Sequence, residues 1–244
     1  MTAHDINLFG DQIAASRLGA RFAAMDARAL LRLAIEDLYP GRIALVSSFG
    51  ADSAVLAHMV AGIDRKTPLV FIDTGHLFPE TLSYRDRLVD LLKLENVHSQ
   101  GPDPEALKAR DPEVFLWSSN PDACCELRKV EPLAVALKGY DAWITGRKRF
   151  QAATRSSLPL FEADGAHVKV NPLVSWTMED VVAYLDKHDL PRHPLVAKGY
   201  PSIGCLPCTS PVKPGEDPRA GRWRGRGKTE CGIHTQTLDA GQDI

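Results

Sequence analysis

The sequence predicts an α/β fold, a doubly wound and mostly parallel sheet followed by a mobile C-terminal tail. Three observations point there. Short apolar, β-branched runs recur at 43–48, 69–73 and 143–145, and segments with helical spacing separate them, which is the alternation that builds parallel sheets. The loops after the first two runs are rich in Ser, Gly, Asp and Thr, and in open α/β sheets such loops face the ligand edge. The chain of 244 residues is 44% hydrophobic, enough for one substantial core. We read 1–198 as the α/β body with its leading helices, and 199–244 as a tail of the same functional domain.

In chain order, residues 11–39 carry apolar positions at helical spacing, among them Ile13, Leu18, Phe22, Leu30, Leu31 and Ile35, and stop at Pro40-Gly41, which predicts one or two leading helices. Ile43 to Ser48 reads as a strand and Asp52 to Val60 as the helix after it; Leu69 to Asp73 repeats the pattern. Pro79 suits the first position of a helix running to about Leu94. A further helix begins near Cys124, and Trp143 to Thr145 follows it as a short strand. Phe161 to Pro172, with Asp164-Gly165 at its centre, predicts a hairpin. Thr177 to His188 reads as a helix capped by Thr177, with Asp180 at the capping-box position. Beyond Gly199, Pro201, Pro207, Pro211, Pro214 and Pro218 exclude a long regular helix.

Charge and cysteine usage narrow the function. Lys+Arg of 29 against Asp+Glu of 31 leaves a formal charge of -2, so bulk electrostatics favour neither nucleic acid nor an anionic membrane, and any anion binding must be local. The first ten residues lack a basic segment followed by an apolar run, and no stretch approaches the ~18 apolar residues of a membrane span. A cytoplasmic protein is expected. In that reducing compartment five cysteines point to metal binding or thiol chemistry rather than a disulfide framework. The odd count suggests four plus one.

Ser47-Ser48-Phe49-Gly50-Ala51-Asp52-Ser53 lies between a strand and a helix, where free backbone N–H groups and the helix dipole favour an oxyanion. Asp73-Thr74-Gly75 would emerge at the same sheet edge. Each loop taken singly also reads as ordinary helix capping. A stronger signal is Cys124-Cys125 followed far later by Cys205-Leu206-Pro207-Cys208. Neighbouring helical residues diverge by roughly 100°, which suits separate corners of a cluster, while a Cys-x-x-Cys turn serves either zinc or iron–sulfur. Residue types and spacing leave both open, together with unliganded or redox-active thiols. Lys129, four residues after Cys125 and beside Arg128, is placed to offset thiolates or attract an anion, although basic residues on a helix usually mark a solvated face.

The fifth thiol, Cys231, follows Arg219, Arg222, Arg224 and Arg226 and precedes Gly232 and His234. Positive surroundings lower a cysteine pKa and favour the thiolate, and His234 adds a proton donor or an anion contact.

The segments SSFGADS, IDTGHLFPET, CCELRKVEPL, TGRKRFQAATR, VNPLVSWTMEDVVAYL, GCLPCTSPV, RAGRW and KTECGIH, in that order between about residues 40 and 235, together resemble the sulfonucleotide reductase family, in its cluster-containing adenylyl-sulfate reductase branch. The resemblance implies a sheet of the adenine nucleotide alpha hydrolase-like type, with 1–198 as the nucleotide-binding reductase domain. It implies a 4Fe-4S cluster on Cys124, Cys125, Cys205 and Cys208, with Lys129 linking cluster and substrate. Cys231 would be the catalytic thiol, and Ser48, Gly50, Arg155, Arg219, Arg222 and His234 the phosphate and sulfate contacts, with Asp73 and Thr74 in the nucleotide crevice. Two positions depart from the pattern: Phe150 replaces an acidic or polar residue, and Ala152 a serine. Phe49-Gly50 also stands where related ATP pyrophosphatases carry two glycines, which leaves less bare backbone for a pyrophosphate.

The activity implied is reduction of adenylyl sulfate to sulfite and AMP through an S-sulfo adduct on Cys231. The chain ends soon after Cys231, without the thioredoxin-like domain fused to some relatives, so an external thioredoxin or glutaredoxin is expected as reductant. Rival readings are a reductase for the 3′-phosphorylated nucleotide, an ATP-dependent tRNA sulfur-inserting enzyme on the same fold, and a non-enzymatic iron–sulfur or zinc redox sensor.

Overall fold

A computed structural model describes residues 11–234. The amino-terminal segment 1–10, read above as carrying no leader, and the end of the tail, 235–244, lie outside those residues. The leading segment forms α1 (Gln12–Arg21) and α2 (Ala27–Arg32), which runs on into a π-helical turn at Leu33–Leu38. Asp11 and Asp26 start the two helices by accepting first-turn N–H groups, each cap stabilising by about 1 kcal/mol. Leu18, Leu30, Leu31 and Ile35 are buried, whereas Ile13 is 62% exposed on the outer face of α1.

The winding then proceeds through β1 (Ile43–Ser47), α3 (Ser53–Ala61), β2 (Leu69–Ile72), α4 (Pro79–Leu92) and β3 (Val97–Gln100). Short helices α5 (Pro104–Arg110) and α6 (Leu116–Ser119) lead to α7 (Pro121–Cys125), a π turn at Glu126–Val130 and α8 (Glu131–Ala136). Then come β4 (Ala142–Ile144), the pair β5 (Phe161–Asp164) and β6 (His167–Val170), and α9 (Met178–Lys187). The strand order is β3-β2-β1-β4-β6-β5. All pairings are parallel except β5 with β6, as expected of a mostly parallel sheet. β2 and β4 flank β1, so the chain reverses its winding direction between β1 and β4, the topological switch at which such sheets bind ligands.

The core follows from that placement. Ala44, Leu45, Val70, Phe71, Trp143 and Ile144 are at most 1% exposed, because a parallel strand covered on both faces needs apolar side chains on both. Each fully buried aliphatic or aromatic side chain contributes about 1.5–3 kcal/mol. Pro79 does occupy the first turn of α4, and Thr177 and Asp180 do form a capping box on α9.

Two details differ from the sequence reading. β3 is an additional strand, polar and half-exposed along the sheet edge, paired in parallel to β2 from Leu69↔Val97 to Ile72↔Gln100. The hairpin turns on Gly165-Ala166 rather than Asp164-Gly165: Asp164 already pairs with His167, and Gly165 has φ 60, the first central position where a II′ turn needs glycine.

From Gly199 to His234 the described chain has no helix beyond three-residue 3-10 turns. It is docked all the same. Cys205 bridges to Leu77, Thr209 bridges to Arg222, and the Trp223 N–H donates to the Cys208 carbonyl at 2.9 Å.

Candidate functional site

A cavity of about 390 Å³ opens at the carboxyl edge of β1 and β4, within the size range of small-molecule sites. Its floor is the loop after β1. There Ser47 Oγ accepts the Phe49 N–H at 3.2 Å, and Phe49 takes the left-handed φ of 47 that glycine adopts freely. The strain costs about 1 kcal/mol or more, and burial offsets it, since Phe49 is fully inaccessible and packs edge-on to Phe71 at 5.4 Å. Asp52 stands at the N-cap of α3 yet makes no side-chain bond to the helix, because its carboxylate pairs with Lys148. The first turn of α3 lies beside Ser48 and Gly50 in the cavity wall; its Ser53 and Val55 N–H groups bond back to the Gly50 and Asp52 carbonyls, so what it offers an oxyanion is chiefly the positive end of the helix dipole.

The thiols gather behind this floor. Cys124 and Cys125 end α7 at the π turn, while Cys205 and Cys208 bracket the 3-10 turn Leu206–Cys208. That turn reaches the loop after β2 through the Leu206 N–H, which donates to the His76 carbonyl at 2.7 Å, and Thr74 Oγ1 lies 3.3 Å from Cys205 Sγ. Arg128 ties the cysteine helix to the same loop. One of its nitrogens donates to the Thr74 carbonyl at 3.0 Å and another to Asp111 Oδ2 at 2.7 Å, both side chains being buried. Burial opposes ionisation of Asp111, and hydrogen bonds from Arg128 and the Leu116 N–H outweigh it, holding the carboxyl below its usual range. Arg128 is thus a structural bolt, not a solvated basic residue.

Burial and then the charges of neighbouring thiols push Cys124 up to about 11, and burial raises Cys125 and Cys208 as well. Packed together, these thiols resist ionising unless cations compensate them. Among the described residues no three His, Cys, Asp or Glu side chains converge on a single ion, and all five thiols are free of disulfides. Lys129 lines the cavity on the π turn. Burial alone would lower its pKa, but charges at Cys205, Cys231 and Cys125 outweigh that and raise it, so its ammonium is held between the thiol group and the fifth cysteine.

The tail brings Cys231 in. Arg226 donates to the Trp117 carbonyl and Lys228 pairs with Asp122 just ahead of the cysteine pair. Arg155 binds Glu230 through Nε at 2.7 Å and Nη2 at 2.8 Å, and Arg219 reaches the same carboxylate at 3.2 Å. The Arg222 guanidinium lies over Trp223 at 4.5 Å and against Gly204, where a Cβ would meet its Nη2 at 2.2 Å; only glycine permits that approach. His234 stacks on Trp143 with centroids 5.7 Å apart. Burial and then the surrounding cations, Arg147, Arg155, Lys169 and Arg219, hold its pKa well below the usual range. His234 is therefore a neutral polar contact at pH 7, with Nδ1 unpaired.

Ser48, Gly50, Thr74, Lys129, Arg155, Cys205, Arg219, Arg222, Cys231 and His234 all line this one cavity. Cys124, Cys125 and Cys208 lie behind its wall, grouped with Cys205. Asp73 is not in the lining; its carboxylate turns back to accept the Gly75 N–H at 3.0 Å. Sequence reasoning passed over Arg147, Trp143 and Glu230. Arg147 lines the cavity and is anchored by Glu162 at 2.5 Å. Trp143 is fixed by Asp164, which accepts its indole N–H at 3.0 Å, and by the Lys169 ammonium 5.3 Å from the ring. A basic residue inside TGRKRF was a visible signal for Arg147; nothing in the sequence marked the other two.

Comparison with known proteins adds to this geometry. The family model described as "Phosphoadenosine phosphosulfate reductase domain" matches residues 42–211. A protein of Chelativorans sp. named adenosine 5′-phosphosulfate reductase is 54% identical over 230 residues, 94% of each chain. One of Gloeobacter violaceus named phosphoadenosine 5′-phosphosulfate reductase is 39% identical over 92% of this chain and 95% of its own. Among solved structures, the phosphate complex of a phosphoadenylyl-sulfate reductase from Candida auris superposes with a TM-score of 0.70 at 29% identity, covering 83% of this chain and 98% of that one.

Proposed function

Because the chain belongs to the phosphoadenosine phosphosulfate reductase family, we propose that it is an oxidoreductase that reduces adenylyl sulfate to sulfite and AMP in sulfate assimilation. The observation that carries this reading is the convergence of Cys231, Lys129, Arg155 and Arg219 on one cavity at the switch point of the sheet. Adenosine fits the apolar side of that cavity, walled by Leu45, Leu56 and Val181. The sulfuryl and phosphate groups face the arginines and the N-terminus of α3.

The Cys231 thiolate attacks the sulfuryl sulfur, a new S–S bond forms, and the S–O bond to AMP breaks with its electron pair leaving on the phosphate oxygen. Fixed donors from Lys129, Arg155, Arg219 and Arg222 stabilise charge on the sulfuryl oxygens without reorganising. A thiolate from an external thioredoxin or glutaredoxin then attacks Cys231 Sγ, expelling sulfite and leaving a mixed disulfide for the reductant's second thiol to resolve. Cys124, Cys125, Cys205 and Cys208 would hold a 4Fe-4S cluster. An all-thiol donor set, buried except for the half-buried Cys208, mutually close and not converging on one point, suits a cluster with separated corners. When bound, the cluster offsets the thiolate charge and, through Lys129, tunes the anion site; electron transfer is not assigned to it.

Sulfite release by anaerobically purified protein, with adenylyl sulfate and its 3′-phosphorylated relative compared, tests the reading. The expected result is a higher kcat/KM for adenylyl sulfate. Without reductant, one S-sulfo adduct should collect on Cys231, and Cys231→Ser should bind AMP without turning over. An adduct on another cysteine, or multiple turnover by the serine variant, would overturn the assignment.

A further inference from the structure

We propose that Glu230 is a built-in substitute anion, a carboxylate that holds Arg155 and Arg219 in the oxyanion site and is displaced when a ligand's sulfate or phosphate enters. The inference rests on the preceding reading of the cavity as an oxyanion and nucleotide site, and it adds a positioning residue to that site.

The geometry is that of an occupied anion site. Glu230 is 9% exposed in its side chain and gives both oxygens to Arg155, at 2.7 and 2.8 Å, while Arg219 closes on one of them at 3.2 Å. Both guanidiniums line the cavity, as does Glu230 itself. A carboxylate and a sulfuryl or phosphoryl group present the same pair of oxygens to a guanidinium fork, so one can replace the other without moving the arginines. The charges favour the exchange. Two guanidiniums share a single carboxylate, and their other hydrogen bonds go to neutral acceptors, Gln151 Oε1 from Arg155 at 2.5 Å and the Thr229 carbonyl from Arg219 at 2.8 Å, with Cys231 the further source of negative charge near Arg219. A dianionic group would match the two guanidiniums better than one carboxylate does.

The position of Glu230 in the chain gives the exchange its consequence. Arg155 belongs to the body, in the 3-10 turn Ala153–Arg155 after β4, whereas Glu230 immediately precedes Cys231 in the tail. The bond between them is one of the contacts that clip the tail to the body, beside Lys228 with Asp122 and His234 on Trp143, and its release by an entering anion loosens the chain next to Cys231 while those contacts keep the tail docked. Anion binding and nucleophile placement become one event.

A purely structural ion pair predicts the opposite behaviour from a substitute anion when the charge is removed. In Glu230→Gln the amide keeps the size and one acceptor but competes poorly for guanidinium. The full-length protein, purified anaerobically, is titrated calorimetrically with inorganic sulfate and, separately, with AMP at low ionic strength. We expect Kd in Glu230→Gln to fall by about tenfold in whichever arm supplies the group that displaces Glu230. The shorter Glu230→Asp, which keeps the charge but cannot span both arginines, should show a smaller fall and replaces the glutamine variant if that one does not fold. In turnover, KM for adenylyl sulfate should fall while kcat does not rise. Affinities unchanged or weakened in both arms overturn the proposal. A wild-type protein that releases no sulfite, with the affinity gain intact, refutes the substrate reading and leaves the displaced carboxylate standing. Sulfite release without any affinity gain does the reverse.

Discussion

His193 predicts how the protein loses stability in acid. Its Nδ1 accepts the Leu195 N–H at 3.1 Å, so the proton of the neutral ring must sit on Nε2, which faces Thr81 Oγ1 at 3.1 Å. The ring lies edge-on to Tyr84 at 4.9 Å and is 1% exposed. Protonating Nδ1 would set a second N–H against that of Leu195. Burial accordingly lowers the pKa from 6.5 to about 4, with Glu80 opposing only in part. Between those two values the unfolded chain binds the proton and the folded chain does not. Stability therefore falls as pH drops through that window and levels off below it. At about 1.4 kcal/mol per pH unit the loss from this residue is about 3 kcal/mol. His193→Asn keeps an acceptor for Leu195 and removes the titration, so the difference between wild type and variant in urea unfolding should shrink by about 3 kcal/mol from about pH 7 to about pH 4. Parallel profiles for the two proteins, or an NMR midpoint for the His193 ring near its unperturbed value, would refute the argument. The segment at stake borders the cavity, since Arg192 and Val196 on either side of His193 line it.

Three further outcomes follow from the site. Arg128→Met leaves Asp111 buried and unpaired and should cost about 3–5 kcal/mol, with much of it recovered in Arg128→Met/Asp111→Leu; denaturant unfolding of both checks this, and a loss in the single variant below about 1 kcal/mol would contradict it. Gly204→Ala should displace the flexible Arg222 guanidinium rather than the fold, so the melting temperature should barely move while the KM for adenylyl sulfate rises; unchanged KM would remove Arg222 from the anion site. Cys208→Ala should purify with substoichiometric iron and acid-labile sulfide, and full occupancy, or zinc in the wild type, would defeat the four-thiol cluster.

The fold was legible wherever one residue type dominated its local physics. Proline at the start of α4, the Thr177 and Asp180 cap of α9, and the apolar runs of β1, β2 and β4 declare themselves, because their preferences do not depend on distant partners. β3 escaped notice because Val97-His98-Ser99-Gln100 is an edge strand, stabilised by pairing to β2 rather than by its own alternation. At the site, cysteines and arginines stand out by chemistry. Trp143 and Glu230 do not: tryptophan in a strand reads as core and glutamate in a tail reads as solvated. Their roles arise from contacts to His234, Arg155 and Arg219, which are remote from them in sequence or invisible without the tail's path. Asp73 illustrates the converse, since a carboxylate beside a strand end reads equally as ligand contact or loop cap, and here it caps.

The docking of the tail has a consequence for how the molecule is made. Cys124 and Cys125 belong to a helix that emerges from the ribosome well before the Cys205–Cys208 turn, and Cys205 is seated only by its pairing with Leu77 across the finished sheet edge. A nascent chain, folding from its amino end, therefore exposes two thiols without the other two. The tail's Cys205 and Cys208 add their own charges to those that disfavour ionisation of Cys124, so that environment is complete only once the tail is docked. If these four thiols hold a cluster, its assembly has to wait for the tail, because a chain truncated before Cys205 would lack two of the four.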